Sequence, residues 1–461
     1  MDDKVSQLAT FFESMLGEAA DDLARECGVV QRERKLTGSL LVQILMLTWW
    51  DDPEARWEDM ADNAFRWFGL KISPQALNDR AEMPLYEMLR QLCEQAVENG
   101  VEAEPTTLPI LSRFNGVEIH DGTTISLTSD LHEMFPGCGN QHNSEASAIK
   151  FVVRMEVLSG QISATVIGNG READTKLGPQ LPTPEAGSLV MKDRGFFDVS
   201  ELKRYDEAGV YFLMRPATVV NMAELTTGTI CGDNKEPGLV PGKMQELTAF
   251  LRSQSADTTE IDRQIELGNE RFPCRLIAVR CSEELANRRK QKLRETCKRK
   301  GRGEPSESQL ITCEWFVLIT NVPEEMLTVQ EACVVYRVRW QIELLFKCYK
   351  SDAGLAKSRA RTGSSRLVEL MAKWLACLLE HAILAPTGGP LDKTSWRGRV
   401  RRVKKWVTDI ARALGHRNQL LDVMTKIQEH LKSLRPKAKR KKNPGTLELL
   451  MNPELLAECL T

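Results

Sequence analysis

The chain has 461 residues, 42% of them hydrophobic and 27% charged, and its formal net charge is −2. This length corresponds to about three domains of roughly 150 residues each, with ample apolar material for a core. No apolar run approaches the roughly 18 residues of a membrane span, and the acidic start MDDKVSQLATFFESML is unlike a signal peptide. The twelve cysteines form no CxxC pair, which disfavours a zinc site and fits free thiols. We therefore expect a soluble cytoplasmic protein with no membrane association.

The near-zero net charge conceals an uneven distribution along the chain. Residues 2–26 hold seven acidic and two basic side chains, whereas residues 288–302 hold nine Lys/Arg and one Glu. Residues 393–405 and 432–442 each hold seven Lys/Arg and no acid. A single basic run is typical of a solvated surface. Three such runs in one chain favour a polyanionic partner, and nucleic acid in particular.

Residues 1–108 are predicted to be helical and to form an N-terminal DNA-binding domain. The stretch LTGSLLVQILMLTWW begins with Thr-Gly-Ser and continues as a strongly apolar helix. A helix break is predicted at Gly69 and a new start at Ser73-Pro74, where Ser caps the helix and Pro occupies its first turn. This rhythm could place the helix from Pro74 to Ala81 in a DNA groove. An ordinary helical bundle explains the pattern equally well.

Residues 109–216 have the period of β-strands and are predicted to be the first part of a catalytic core. FNGVEIHDGTTISL alternates and places Val117, Ile119 and Asp121 on one strand face. An Asp on an apolar face is costly unless it is paired or binds a metal. KFVVRMEVLSGQISATVIGN predicts a hairpin that turns at Ser159-Gly160.

Two more strands complete this region. SLVMKDRGFFD predicts a short strand that ends in Asp193, followed by a helix from Val199, and GVYFLMRPA predicts another strand. Three adjacent strands followed by alternating helix and strand are typical of a mixed sheet with helices packed on it.

The chain beyond residue 216 divides into three predicted parts. Residues 217–312 form an insertion, partly β, which carries the basic helix ANRRKQKLRETCKRKGRG. Four cations of this helix are candidates for DNA contacts: Arg288, Arg289, Lys290 and Lys292. Residues 313–388 form the second part of the core, beginning with the strand WFVLITNV. Residues 389–461 form a basic helical C-terminal region, broken at RPKAKRKKNPG.

A single helix is predicted over YRVRWQIELLFKCYK. At about 100° per residue, Tyr336, Arg339, Glu343 and Lys350 fall on one stripe beside an apolar face. The plain interpretation is a solvated face with an Arg–Glu pair at i,i+4, worth a few tenths of a kcal/mol. The same stripe would suit phosphate and metal if other carboxylates converged on it.

Three carboxylates have a pattern that suits metal-dependent chemistry: Asp121 within a strand, Asp193 at a strand end and Glu343 on a late helix. Converging at a sheet edge, they could hold two Mg²⁺ ions roughly 4 Å apart, one activating an attacking water or 3′-hydroxyl and the other steadying the leaving oxygen. Oxygen ligands suit Mg²⁺ or Mn²⁺ better than zinc. Structural alternatives are a turn residue for Asp121, a helix cap for Asp193 and a salt bridge with Arg339 for Glu343.

The spacing Y-x2-R-x3-E-x6-K of Tyr336, Arg339, Glu343 and Lys350 resembles the signature of bacterial insertion-sequence transposases of the DDE class, and of the insertion-sequence-four group in particular. HDGTTISL and DRGFFD resemble the two Asp boxes of that family. The resemblance covers about residues 110–385. It implies an α/β fold with a ribonuclease H-like catalytic core, a β-rich insertion, and flanking helical N- and C-terminal regions.

The resemblance also implies roles for individual residues. Asp121, Asp193 and Glu343 would be the ligands of two Mg²⁺ (or Mn²⁺) ions. Tyr336, Arg339 and Lys350 would contact phosphates at the ends of a mobile element, a role that suits their chemistry. A further residue, Trp315, lies 28 residues before Glu343, where hairpin-forming relatives stack a tryptophan on a flipped base. A buried strand Trp is the commoner explanation of that position.

The function implied is that of a DNA transposase, which binds the terminal inverted repeats of a mobile element in double-stranded DNA, cleaves strands and transfers 3′-OH ends to target DNA. A homodimer in the DNA complex belongs to the same resemblance. Two other functions stay open: a domesticated transposase that only binds specific DNA sequences, and a metal-dependent DNA nuclease without strand transfer.

Overall fold

The structure is a computed structural model that describes residues 3–30, 35–101, 107–139, 145–229, 237–388, 391, 393–436 and 444–455. Most of the predicted break RPKAKRKKNPG, and with it much of the basic run at 432–442, lies outside these residues. By the contacts between its residues, the chain divides into two compact units. The first comprises Met1–Thr106, Asp121–Leu181 and Trp340–Ala438; the second comprises Thr107–His120, Pro182–Arg339 and Lys439–Thr461.

The strands, in chain order, are β1 (Val117–Leu127), β2 (Ser147–Glu156), β3 (Ile162–Asn169), β4 (Leu189–Lys192), β5 (Tyr211–Met214), β6 (Asn221–Thr229), β7 (Pro237–Pro241), β8 (Gln245–Glu246), β9 (Glu260–Leu267), β10 (Phe272–Arg280) and β11 (Trp315–Thr320).

The helices, in chain order, are α1 (Asp3–Glu13), α2 (Ala19–Glu26), α3 (Gly38–Asp51), α4 (Trp57–Phe68), α5 (Pro74–Asn78), α6 (Met83–Glu98), α7 (Asp174–Leu177), α8 (Val199–Glu207), α9 (Leu247–Ser253), α10 (Glu283–Arg299), α11 (Glu307–Glu314), α12 (Val329–Arg337), α13 (Trp340–Ser351), α14 (Gly363–Leu384), α15 (Trp396–Val403), α16 (Val407–Ala413), α17 (Arg417–Lys432) and α18 (Thr446–Met451). A π-helical turn, Ser14–Glu18, joins α1 to α2.

The second unit is built on a mixed sheet with the strand order β1-β4-β5-β11-β10-β9-β6-β7. The pairs β1–β4 and β4–β5 are parallel, and the others are antiparallel. Strands β9 and β10, which lie within residues 217–312, therefore extend the same sheet as β4 and β5. The apolar core of this unit joins residues of these strands to α8, with Leu202 and Tyr205 buried against Phe212 and Ile319.

The first unit has α14 at its centre. Of the residues Gly363–Leu384, every one except Ser364 is buried, as expected of a helix that is surrounded on all sides. The antiparallel hairpin β2–β3 belongs to the same unit, and Phe151 on β2 packs on Trp374 of α14 with the ring centroids 4.9 Å apart. The mixed α/β class predicted from the sequence is therefore confirmed.

The helix boundaries in the N-terminal region follow the local signals of the sequence. Gly69, with φ of 65°, ends α4 in the left-handed conformation. The side chain of Ser73 accepts a hydrogen bond from the backbone N–H of Ala76, and Pro74 begins α5. The predicted turn of the hairpin at Ser159-Gly160 is also present, with φ of 76° at Gly160.

The prediction of a single helix over residues 336–350 is wrong. The helix is interrupted at Val338 and Arg339, between α12 and α13. At this point the N–H groups of Val338 and Arg339 bond to the carbonyls three residues earlier, Val335 and Tyr336, at 2.9 and 3.2 Å. Such i,i+3 bonds tighten the turn, so Tyr336 and Arg339 do not share one regular helix with Glu343 and Lys350.

Among the helices of the described ranges, we find none whose length and apolar character would let it cross a membrane.

Two glycines of the first unit provide a test of local packing. Gly69 and Gly354 both have positive φ, 65° and 66°, but a Cβ at Gly69 would meet open space whereas one at Gly354 would overlap Pro53. We expect Gly69→Ala to lower the free energy of unfolding by about 1 kcal/mol, because alanine is strained in the left-handed backbone conformation. Gly354→Ala adds a steric clash and should lower it further. Urea unfolding of both variants measures the difference, and equal losses would contradict the packing of Pro53 on Gly354.

Candidate active site

Asp121 lies within β1, in the part of the strand that belongs to the first unit. Its side chain is partly buried, and its Oδ1 accepts a hydrogen bond from the backbone N–H of Gly122 at 2.8 Å. Lys350, in the last turn of α13, is close enough to interact with it electrostatically: burial lowers the pKa of Lys350, and the charge of Asp121 opposes that shift. The first unit thus brings Asp121 together with one of the predicted phosphate-binding cations.

Glu343 lies in the first turn of α13 and is partly exposed. It precedes Lys350 by seven residues, which is two turns or about 10 Å along a helix axis. Both side chains therefore project from the same face of α13. The Glu343–Lys350 half of the predicted stripe is preserved in the structure.

Asp193 directly follows β4 and begins a 3₁₀ turn, Arg194–Phe196, in the second unit. The buried Tyr336 is close to it: burial raises the pKa of Tyr336, and the negative charge of Asp193 adds to the effect. The Tyr336 hydroxyl donates a hydrogen bond to the backbone carbonyl of Lys192 at 3.1 Å. The Arg339 guanidinium lies over the Tyr336 ring, 5.7 Å from its centroid. Asp193, Tyr336 and Arg339 thus form one group.

Two arginines that the sequence did not single out also belong to this group. Lys192 of β4 and Met214 of β5 are paired residues of neighbouring parallel strands, and the next residues along the chain are Asp193 and Arg215. Burial and the charge of Arg215 lower the pKa of Arg194, while the charge of Asp193 opposes the shift. The position of Arg215 after a β-strand was a usable signal, because parallel strands end at one edge of a sheet.

The two arginines carry unused hydrogen-bonding capacity. Arg194 donates from Nη1 to the Thr218 hydroxyl at 2.9 Å, and the guanidinium of Arg215 lies 6.0 Å from the centre of the Phe316 ring. The Nε atoms of both arginines are buried and have no hydrogen-bond partner among the described residues. A buried donor without a partner is unfavourable, so this group is suited to receive an anion.

A buried ion pair holds the end of β4 next to Asp193 in place. Lys192 lies 2.6 Å from Glu201 of α8, and both side chains are almost wholly inaccessible to solvent. Tyr205 donates to the same carboxylate at 3.1 Å, and burial lowers the pKa of Lys192 to about 8. These contacts hold the backbone that carries Asp193.

Trp315 occupies a core position at the start of β11. It is 1% exposed and belongs to the apolar cluster of the second unit, and the guanidinium of Arg280 stacks on its ring at 4.2 Å. This is the structural alternative considered for Trp315. Its contact with a flipped base stays a prediction.

The four predicted cations of α10 differ in their surroundings. Lys290 forms an ion pair with Glu314 at 2.6 Å, and Arg289 donates to the sulfur of Cys281 at 2.9 Å. Arg288 and Lys292 are exposed, and the nearest carboxylate of Arg288, Glu284, is 3.8 Å away. Arg288 and Lys292 are therefore the more accessible cations of this set, and a DNA contact of any of the four stays a prediction.

The three candidate metal ligands are divided between the two units, Asp121 and Glu343 in the first and Asp193 in the second. Within the ranges that the structure describes, no group of three or more His, Cys, Asp or Glu side chains forms a metal-binding cluster. The donor set itself, three carboxylates, fits Mg²⁺ or Mn²⁺. The assignment of these residues as metal ligands stays a prediction.

Replacing Tyr336 tests whether its hydroxyl has a structural role. We expect Tyr336→Phe to lower the free energy of unfolding by about 1–2 kcal/mol without DNA, because the buried Lys192 carbonyl loses its donor. Tyr211→Phe is the matched control, since the Tyr211 hydroxyl makes no hydrogen bond within the described residues. Urea unfolding measures both. If Tyr336→Phe is as stable as the parent protein, the Tyr336 hydroxyl has no structural role, and DNA binding is its only remaining proposed role.

Comparison with known proteins identifies the family. Residues 113–379, more than half of the chain, match the family described as the transposase DDE domain. The transposase for insertion sequence element IS231F of Bacillus thuringiensis subsp. israelensis is 25% identical over 351 residues, which cover 72% of this chain and 70% of that protein. The transposase for insertion sequence element IS1151 of Clostridium perfringens is 24% identical over 376 residues, or 78% and 77% of the two chains. The chain therefore belongs to the DDE transposase family and is related to insertion-sequence transposases, as its sequence boxes predicted.

Proposed function

We propose that this protein is an active DNA transposase that binds the terminal inverted repeats of a mobile element, cleaves DNA strands and transfers the 3′-OH ends to target DNA. Asp121, Asp193 and Glu343 are the proposed ligands of two divalent ions, Mg²⁺ or Mn²⁺. The proposed core is ribonuclease H-like, residues 109–216 and 313–388, with 217–312 as an insertion in it.

The register of β1 and β4 is the observation that carries the proposal. These parallel strands are neighbours, and the last pair in their register is His120 with Lys192. Asp121 and Asp193 are the next residues of their respective chain segments. Paired residues of adjacent strands are separated by about 5 Å. The register therefore supports the proposal, because Asp121 and Asp193 directly follow the same pair of residues. Two carboxylates arranged in this way suit the binding of divalent metal ions.

The basic residues beside each carboxylate support a phosphodiester substrate. Lys350 accompanies Asp121, and Arg194, Arg215 and Tyr336 accompany Asp193. A guanidinium can bind a phosphate through two parallel hydrogen bonds, and an ammonium acts as a point charge. In the proposed function these side chains hold the phosphates on either side of the scissile bond, with Arg339 contributing beside Tyr336. Bound divalent ions would activate the attacking oxygen and stabilise the leaving one.

The rest of the chain has proposed roles in binding DNA. Residues 1–108 recognise the element ends, and the basic runs supply affinity that does not depend on sequence. Strand transfer requires that both ends of an element are held together, so we include a homodimer with one subunit for each end.

A nuclease without strand transfer would need the same carboxylates. The products of the reaction distinguish the two functions: a transposase gives joined DNA, and a nuclease gives cut DNA alone.

Substitution of the helical carboxylate tests the proposed catalysis. We expect Glu343→Gln to abolish cleavage of DNA that carries the inverted repeats flanking the gene, while binding to that DNA persists. An amide keeps the shape of the side chain but lacks the charge that a divalent ion requires. Gel assays with and without Mg²⁺ measure cleavage and joining.

The exposed Glu325, substituted to Gln, is the matched control and should leave cleavage unchanged. Near-normal cutting by Glu343→Gln would show that its carboxylate is structural.

The exposed cations of α10 are expected to bind DNA without sequence preference. Each phosphate contact contributes about 0.9 to the slope of log K against log salt. The double variant Arg288→Gln/Lys292→Gln should therefore flatten that slope by up to about 2 for every DNA sequence. Lys290→Gln is the control, because Lys290 already pairs with Glu314. Titrations at several salt concentrations measure the slopes, and a double variant with the parent's slope would exclude α10 from the DNA contact.

A further inference from the structure

A cleft of about 760 Å³ opens on the first unit. One part of its wall is formed by α5 and the residues after it, and another by the segment 359–362 and the first turns of α14. The start of α4 also lines the cleft, and there Trp57 stacks edge-on against Trp49 at 5.8 Å. Its volume is in the range of ligand-binding sites, and it contains none of the proposed metal ligands.

The charges that line the cleft are nearly balanced. Three guanidinium groups, those of Arg56, Arg359 and Arg361, share the lining with the carboxylates of Glu58, Asp79 and Glu82. A fourth carboxylate, Glu369, is neutralised by Lys373 at 2.6 Å, and Arg359 is itself paired with Glu54 at 3.2 Å. A surface that only attracts phosphate is predominantly basic. The mixture of donors and acceptors in this cleft instead matches the edges of bases.

The wall formed by α5 presents amide side chains. Gln75 and Asn78 are exposed and line the cleft. Gln75 donates to Asp79, one turn further along, whereas the Asn78 side chain makes no hydrogen bond within the described residues. An amide can bind adenine through N6 and N7 simultaneously in the major groove. Asn78 is therefore free to read an A·T pair.

The lining offers two kinds of contact to one strand of a duplex, amide side chains on α5 and a guanidinium group in the segment 359–362. With the backbone of that strand along the segment 359–362, its phosphates can reach the exposed Arg361, while α5 lies in the adjacent major groove. The preceding helix α4 and the turn at Gly69 give α5 the setting of a second helix in a helix–turn–helix pair. The segment 359–362 extends the recognition surface beyond the N-terminal region, although it follows α13 in the chain.

We propose that this cleft is the sequence-reading site for double-stranded DNA, with Asn78 and Gln75 contacting base edges and the segment 359–362 contacting the backbone of the same strand. The proposal rests on the proposed transposase function and specifies where end recognition occurs. Because the lining is electrically balanced, the cleft contributes sequence preference and little sequence-independent affinity.

The experiment begins with selection of binding sites from a random duplex library by the full-length protein. The selected duplex and a shuffled version of it are then titrated with the parent, Asn78→Ala and Gln75→Ala. We expect each variant to lose about tenfold or more of the parent's preference for the selected duplex, with an unchanged salt slope. Asn418→Ala, an exposed amide at the start of α17 and outside residues 1–108, is the matched control and should keep the full preference.

The α10 double variant is the converse control, since it should change the salt slope and leave the preference intact. Thermal unfolding of each variant confirms its fold, and the exposed position of both amides makes substitution tolerable. If the parent selects no sequence at all, the proposed function itself is contradicted. If the parent selects a sequence and both amide variants prefer it as strongly as the parent does, the cleft does not read DNA and only this inference falls.

Discussion

Three neighbouring parallel strands, β1, β4 and β5, have paired residues at one level of the sheet, namely His120, Lys192 and Met214. The chain continues from these residues into Asp121, Asp193 and Arg215. The backbone hydrogen bonds of a parallel ladder fix this register, so Asp193 and Arg215 directly follow paired residues of β4 and β5. Side-chain packing then only has to hold the strand ends in place, which the Lys192–Glu201 pair does for β4.

Charge compensation is the second constraint on this arrangement. A carboxylate that is partly removed from water is stabilised by a nearby cation. Asp121 has Lys350 within electrostatic range, and Asp193 has Arg194. Arg194 and Arg215 in turn repel each other, and the pKa of Arg194 is lowered by that charge and by burial. An anion bound between these two guanidinium groups would reduce that repulsion.

Much of this fold is accessible from local sequence signals, because those signals act over a few residues. The alternation of apolar and polar residues predicts β1. Gly69 and Ser73 mark helix ends, and SLVMKD places Asp193 at the end of a strand. Contacts between distant residues were not predictable in the same way. The pairing of Lys290 with Glu314 and the burial of Trp315 under Arg280 depend on how β10 and β11 are paired. No periodicity within either segment encodes that pairing, so the sequence does not reveal the intramolecular partners of Arg289 and Lys290.

The interruption at Val338 and Arg339 changes what the Y-x2-R-x3-E-x6-K spacing of this chain means physically. A continuous helix would make Tyr336, Arg339, Glu343 and Lys350 a single stripe, but two independent constraints act instead. The Y-x2-R spacing follows from the tight turn in which the Arg339 N–H bonds to the Tyr336 carbonyl at 3.2 Å and the guanidinium covers the Tyr336 ring. The E-x6-K spacing follows from two regular turns of α13, which align Glu343 with Lys350. A one-residue insertion in α13 between Glu343 and Lys350 would rotate Lys350 by about 100° from Glu343. An insertion between Tyr336 and Arg339 would instead leave Glu343 aligned with Lys350 and displace the Arg339 guanidinium from the Tyr336 ring.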